Sequence, residues 1–138
     1  MAEIPFTILD EGRATEVPAR IDIGRVRLSA GSLERALGWE LKPQGLCHGE
    51  VCIPSAGRAG LLSDGQVDLA AFAELLQRPL ALDVDERAAA VGASARERAE
   101  LLGGGVAPDF TLPDLMGREW TLSGLRGKKV LLIAYASW

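Results

Sequence analysis

The chain contains only two cysteines, one histidine and one tyrosine in 138 residues, and it has no long uninterrupted apolar run. One histidine and two cysteines cannot complete a four-ligand zinc site unless carboxylates or a second chain contribute. No stretch approaches the roughly 18 apolar residues that a bilayer span requires, so no membrane partner is expected. Met1 to Asp10 lacks both the basic n-region and the apolar core of a secretory leader, and the expected location is cytoplasmic. Basic excess is missing too. Net charge is −4, and Arg13, Arg20, Arg25, Arg27 and Arg35 are scattered among acids with no basic stripe. Nucleic acid is therefore excluded as an expected partner on bulk electrostatics.

What is present is enough apolar material to fold. Hydrophobic residues make up 48 % of the chain, too many for a disordered segment. The expected fold class is α+β in three parts. Residues 1–92 form a small α+β domain with hairpins and two short helices. Residues 93–106 are a helix and a Gly-rich linker, and 107–138 begin a second fold. Ser94-Ala95-Arg96-Glu97 has the pattern of a capping box, and Arg96 to Leu102 would be a short helix ended by Gly103-Gly104-Gly105.

Within residues 1–92, Gly24-Arg25-Val26-Arg27-Leu28 and Gly65-Gln66-Val67-Asp68-Leu69 share a Gly-x-Val-x-Leu pattern that suits a short half-buried strand. Each precedes a helical stretch, Ser32 to Leu37 and Leu69 to Leu76, with Ser32 and Asp68 as expected N-caps. Each helix meets a breaker, Gly38 or Pro79, and then a strand-like segment, Trp39 to Leu41 or Leu80 to Leu82. Phe6 to Leu9 and Glu16 to Ile23 flank the turn Asp10-Glu11-Gly12, and Leu46 to Ile53 folds about Gly49. Arg87 to Val91 reads either way, since its alanines favour helix and its position favours a returning strand.

The reactive-looking cluster is Cys47-His48-Gly49-Glu50-Val51-Cys52. A two-residue turn at Gly49-Glu50 sets Cys47 opposite Cys52 at a non-hydrogen-bonded pair, where alpha carbons approach to ~4.5 Å. Three readings stay open: apolar packing or an incidental disulfide, an auxiliary redox couple, and a metal site. In the redox reading a protonated His48 would lower a neighbouring thiol's pKa. No metal or other cofactor is expected. Gly24 to Leu28, with Leu33 and Ala36-Leu37-Gly38-Trp39, also resembles the strand-then-helix unit of copper-amine-oxidase N-terminal-like modules, which implies a binding or assembly module without catalysis.

The last segment has a more specific likeness. Ala107-Pro108-Asp109-Phe110, then Trp120-Thr121-Leu122-Ser123, Leu125-Arg126-Gly127-Lys128, the apolar run Val130 to Tyr135 and Ala136-Ser137-Trp138 come one after another in order. This string resembles the opening of the redoxin branch of the thioredoxin-like superfamily, with its AhpC/TSA-type thiol oxidoreductases and peroxidases. The resemblance implies an entry hairpin turning at Asp114 to Arg118 and a central strand at Val130 to Tyr135 buried on both faces. Tyr135 and Trp138 would shape the approach to the active site.

In the family the redox-active cysteine or selenocysteine comes directly after the Trp that Trp138 matches. No catalytic residue is therefore expected within this chain, and the fragment is expected to be inactive. UGA serves both as a stop and as the selenocysteine codon, so selenocysteine is the expected next residue of the intact protein. That protein would use a disulfide or peroxide substrate and a thiol reductant. The isolated chain, with its central strand lacking later neighbours, is expected to self-associate.

Overall fold

Buried and more exposed positions alternate along Phe6-Thr7-Ile8-Leu9 and Val17-Pro18-Ala19, and this alternation assembles the first hairpin. The computed structural model describes residues 2–136. Strands β1 (Ile4–Asp10) and β2 (Arg13–Asp22) pair antiparallel across Glu11-Gly12, with both turn residues at positive φ. That turn twists in the same sense as the strands it joins. Phe6, Ile8, Val17 and Ala19 fall on one face and are buried. A like turn at Ile23-Gly24 leads into β3 (Arg25–Ser29), which adds Val26 and Leu28 to that face.

Helix α1 (Ala30–Leu37) begins directly at the end of β3, without a loop. Its N-cap is Ser29, not the expected Ser32. Ser29 has the extended backbone a cap needs, and its Oγ accepts from the Ser32 amide at 3.2 Å. Ser32 lies inside the first turn, buried, and donates its hydroxyl to the Pro18 carbonyl at 2.8 Å. It ties the helix to β2 instead of starting it. Gly38 closes the helix at φ +71.

The chain then leaves the main sheet. β4 (Glu40–Lys42), β5 (Gly45–His48) and β6 (Val51–Ile53) make a separate three-stranded antiparallel sheet. It returns through β7 (Leu62–Ser63) and β8 (Gln66–Asp68) into α2 (Leu69–Leu75), whose N-cap is Asp68. β9 (Leu80–Asp83) and β10 (Ala88–Val91) complete a seven-stranded sheet in the order β7-β8-β3-β2-β1-β10-β9. The alanine-rich segment is thus a strand. It pairs parallel with β1 and antiparallel with β9, and these ladders outweigh the helix preference of its alanines.

The two Gly-x-Val-x-Leu segments meet in space. β3 and β8 are antiparallel neighbours, Leu28 opposite Val67, and each runs straight into its helix. Beyond the helices the two paths diverge, since β4 enters the small sheet and β9 closes the edge of the large one. Leu33 and Leu37 of α1, Leu69 and Phe72 of α2, and Leu46 of the small sheet join the strand residues in one buried cluster. Each such side chain contributes roughly 1.5–3 kcal/mol on burial.

The chain divides into two compact units, Met1–Arg98 and Ala99–Trp138. The division falls inside helix α3 (Ala95–Gly103), within the segment 93–106. At the start of α3 the Ser94 amide donates to Glu97 Oε2 at 2.6 Å, and the Glu97 amide donates to Ser94 Oγ at 3.1 Å. This is a reciprocal capping box. Those bonds hold the Glu97 carboxyl below its ordinary range, the bonds from Ser94 being the main cause.

In the second unit β11 (Thr111–Pro113) pairs with β12 (Glu119–Thr121), and a 3-10 turn at Leu122–Leu125 comes next. The expected strand at Val130 to Tyr135 is not formed: the segment has no regular structure, and Leu131 and Tyr135 are 84 % and 87 % exposed. A strand buried on both faces needs a neighbour on each side, and no strand among the described residues pairs with this run. Trp138 lies outside the described residues. The architecture is mixed α+β, and among the described residues no helix is long and apolar enough to cross a membrane.

Candidate functional site

The Gly49-Glu50 turn sets the register of the small hairpin. With Gly49 at φ +58, His48 stands opposite Val51 and Cys47 opposite Cys52. The cysteine alpha carbons are 4.1 Å apart and the two sulfurs are joined as a disulfide. The two ends differ in access. Cys47 is buried to 1 % exposure between its neighbours, whereas Cys52 is exposed on β6. Closing so short a loop contributes only about 2 kcal/mol on the chain-entropy account.

The asymmetry has a measurable result. After reduction, native-state alkylation is expected to label Cys52 first and Cys47 only upon unfolding, as read by mass spectrometry after cleavage at Glu50, which separates the two cysteines. Equal labelling rates would contradict the burial of Cys47.

His48 does not face the sulfurs. Successive strand residues point to opposite faces, and the imidazole stacks on the Trp39 indole with ring centroids 5.3 Å apart. Trp39 in turn meets the edge of Phe72 at 5.9 Å, which links the hairpin to the core. Gly38 suits its place beneath this stack by its left-handed backbone. Its φ is +71, and a Cβ there would lie 3.4 Å from His48 Cδ2 and Nε2.

Beside the stacked rings is a cleft of about 320 Å³ whose lining includes Trp39, His48, Asp10, Arg78, Ser94 and Glu97. Arg78 is held by two long-range bonds. Its Nη2 donates to Asp10 Oδ1 at 2.5 Å, and its Nε donates to the Gly92 carbonyl at 2.7 Å. Both side chains of the ion pair are close to nine-tenths buried, at 12 % and 13 % exposure. The pair neutralises itself and fastens the end of β1 to the segment after α2. The remaining charges, Glu11, Glu97 and Arg13, carry both signs, so the cleft suits a small polar molecule better than a polyanion.

The sequence marks Cys47, Cys52 and His48 by type and spacing. It carries no local mark for the Asp10–Arg78 pair, which joins residues 68 apart. Trp39 could be singled out only as the residue after a helix-ending glycine. Among the described residues no group of three His, Cys, Asp or Glu side chains comes together as a metal site.

The second unit has its own local order. Asp109 Oδ1 accepts from the Ser123 amide at 2.8 Å, and the Phe110 carbonyl accepts from the Leu122 amide at 3.0 Å. Asp114 clamps the hairpin turn: Oδ1 accepts from the Met116 and Arg118 amides, both at 2.9 Å, and Oδ2 accepts from the Trp120 indole at 3.0 Å. These bonds, the Trp120 one foremost, lower the Asp114 carboxyl pKa. A group lowered on folding stabilises above its unfolded pKa, and that contribution is lost as pH falls through the lowered value. The Trp120 indole N–H resonance is therefore expected to hold through the usual carboxylate range and to shift only at more acidic pH. A shift centred at the ordinary aspartate pKa would contradict the clamp. Tyr135, expected on the approach to an active site, is exposed on the irregular run.

Comparison with protein-family models, with curated proteins and with solved structures finds no match for this chain.

Proposed function

We propose that the chain is the amino-terminal portion of a redoxin-like thiol or selenol oxidoreductase. The observation that carries this reading is the folded entry segment. Asp109 of Ala107-Pro108-Asp109-Phe110 caps the Ser123 amide, β11 and β12 form the expected hairpin, and Lys128 N–H donates to the Leu125 carbonyl at 3.1 Å in the next turn. Residues of the motif string thus bond to one another locally, which supports reading them together. In the intact protein a thiolate or selenolate directly after Trp138 attacks a peroxide or a disulfide. With a peroxide it breaks the O–O bond, releasing the alcohol or water and becoming a sulfenic or selenenic acid. With a disulfide it breaks the S–S bond, releasing one thiolate and forming a mixed disulfide. A second thiol then attacks that sulfur or selenium, releasing water or the other substrate thiol. This closes an S–S or Se–S bond that an external thiol reductant reduces. The Cys47–Cys52 disulfide serves as an auxiliary couple, drawing electrons from a thiol reductant that enters at exposed Cys52. The open Val130 to Tyr135 run is the surface through which isolated copies self-associate.

The test compares residues 1–138 with a chain extended through the codon after Trp138. Thiol-dependent reduction of a peroxide or a protein disulfide is expected from the extended chain and absent from the short one. An inactive, folded extended chain would overturn the reading. The self-contained core and cleft of the first unit favour a second one, a binding module without catalysis. That reading survives an inactive extended chain and requires a ligand that perturbs Trp39 and His48.

A further inference from the structure

The large sheet is covered by helices on the face that carries Phe6, Val17 and Leu28, and residues alternate to an opposite face along every strand. On that opposite face the Ile23-Gly24 turn sets the pairs Asp22 opposite Arg25 and Arg20 opposite Arg27. Two like charges directly across a strand pair are destabilising. The usual remedy is an acidic neighbour, and Arg27 has one in register, Asp68 on β8. Asp68 is already committed, however. Its Oδ1 accepts from the Ala71 amide at 3.0 Å as the cap of α2, and its Oδ2 lies 3.4 Å from Arg25 Nη1.

Arg20 and Arg27 thus face each other across the strand pair. Both are half-buried, and the Nε of each is buried with no hydrogen-bond partner. Among the described residues no ion pair or hydrogen bond reaches either side chain. Buried donors without acceptors are costly, the more so on cations. Two guanidinium groups carried at one register pair present more donors than one planar carboxylate can accept. A tetrahedral oxyanion has an edge for each fork, and a dianion balances two positive charges.

We propose that Arg20 and Arg27 form a binding site for a phosphate group on the face of the sheet opposite the helices. The dianion accepts from both guanidinium groups and offsets the repulsion between them across β2 and β3. The site is independent of the redoxin reading, because it belongs wholly to the first unit.

The experiment monitors the arginine Nε–Hε NMR resonances of the 1–138 chain during titration with inorganic phosphate and, separately, with glycerol 3-phosphate. Sodium chloride at matched ionic strength is the control. The expected result is a saturable shift of both resonances with phosphate and a higher thermal midpoint, neither of which chloride reproduces. A response to both compounds assigns recognition to the phosphate group alone, and a stronger response to the ester adds a contribution from its organic part. Arg20→Gln and Arg27→Gln should each abolish the response of the remaining partner, and Arg27→Lys should weaken it by keeping charge and losing the fork. Absence of any response in the unmodified chain overturns the proposal, as does an equal response to chloride. A shift that survives in either glutamine variant overturns it too.

Discussion

Alanine at position 45 is expected to separate β5 from β6 and to destabilise the first unit by roughly 3–5 kcal/mol. Gly45 has φ +139, a conformation L side chains rarely adopt, and a Cβ there would lie 2.1 Å from the Ile53 carbonyl oxygen. The next contacts are also backbone, Ile53 C at 2.8 Å and Pro54 Cα at 2.9 Å. A side chain could rotate away from such a clash, but a strand must move as a whole. Moving β6 withdraws support from Leu46, which is fully buried, and alters the pairing of Cys47 with Cys52. Urea denaturation should show a clearly lower midpoint, and amide exchange should accelerate across β5 and β6 first. Gly12→Ala is the matched control. That residue is also at positive φ, but a Cβ there meets nothing within 4 Å, so only the backbone cost of about 1–2 kcal/mol is expected. Equal effects at the two positions would refute the steric account.

Phe72→Ala is expected to cost about 3–5 kcal/mol, a large share of the 5–15 kcal/mol by which such domains are stable. Phe72 is fully buried, sits in the central cluster and supports the Trp39 ring from below. Its removal leaves a cavity beside the Trp39 ring, so two effects should appear together. The urea midpoint should fall, and the His48 ring resonances should lose the shift imposed by the stacked indole. Leu131→Ala provides the contrast. That side chain is 84 % exposed, and its loss should change stability by no more than about 0.5 kcal/mol. A Phe72→Ala protein with an unaltered midpoint would remove the reason for linking site and core.

The parts legible in the sequence are those governed by a few adjacent residues. Glu11-Gly12 and Gly49-Glu50 mark their hairpins, Asp68 marks the start of α2, and Ser94 with Glu97 marks the start of α3. Each depends on side chain to backbone bonds within a turn, so local pattern suffices. Ser32 misled because two serines three apart both suit a cap, and only the Pro18 carbonyl reveals which one is used elsewhere. Val130 to Tyr135 misled for a different reason. A continuous apolar run records what a strand would bury, but pairing requires neighbours that the run does not itself contain. The Asp10–Arg78 pair and the meeting of Arg20 with Arg27 depend on topology. The second could be counted from the Ile23-Gly24 turn once that turn is known to join two strands.

The parallel pairing of β1 with β10, Thr7 opposite Ala88 through Asp10 opposite Val91, gives the first unit a mechanical character. Because the two strands run the same way, tension applied ahead of β1 and beyond β10 pulls them past each other along their length. The four register pairs would then share the load at once and yield together in shear, where an antiparallel hairpin pulled from its open end unzips one pair at a time. A tether attached after Val91 would thus strain the rest of the chain before it opened this sheet.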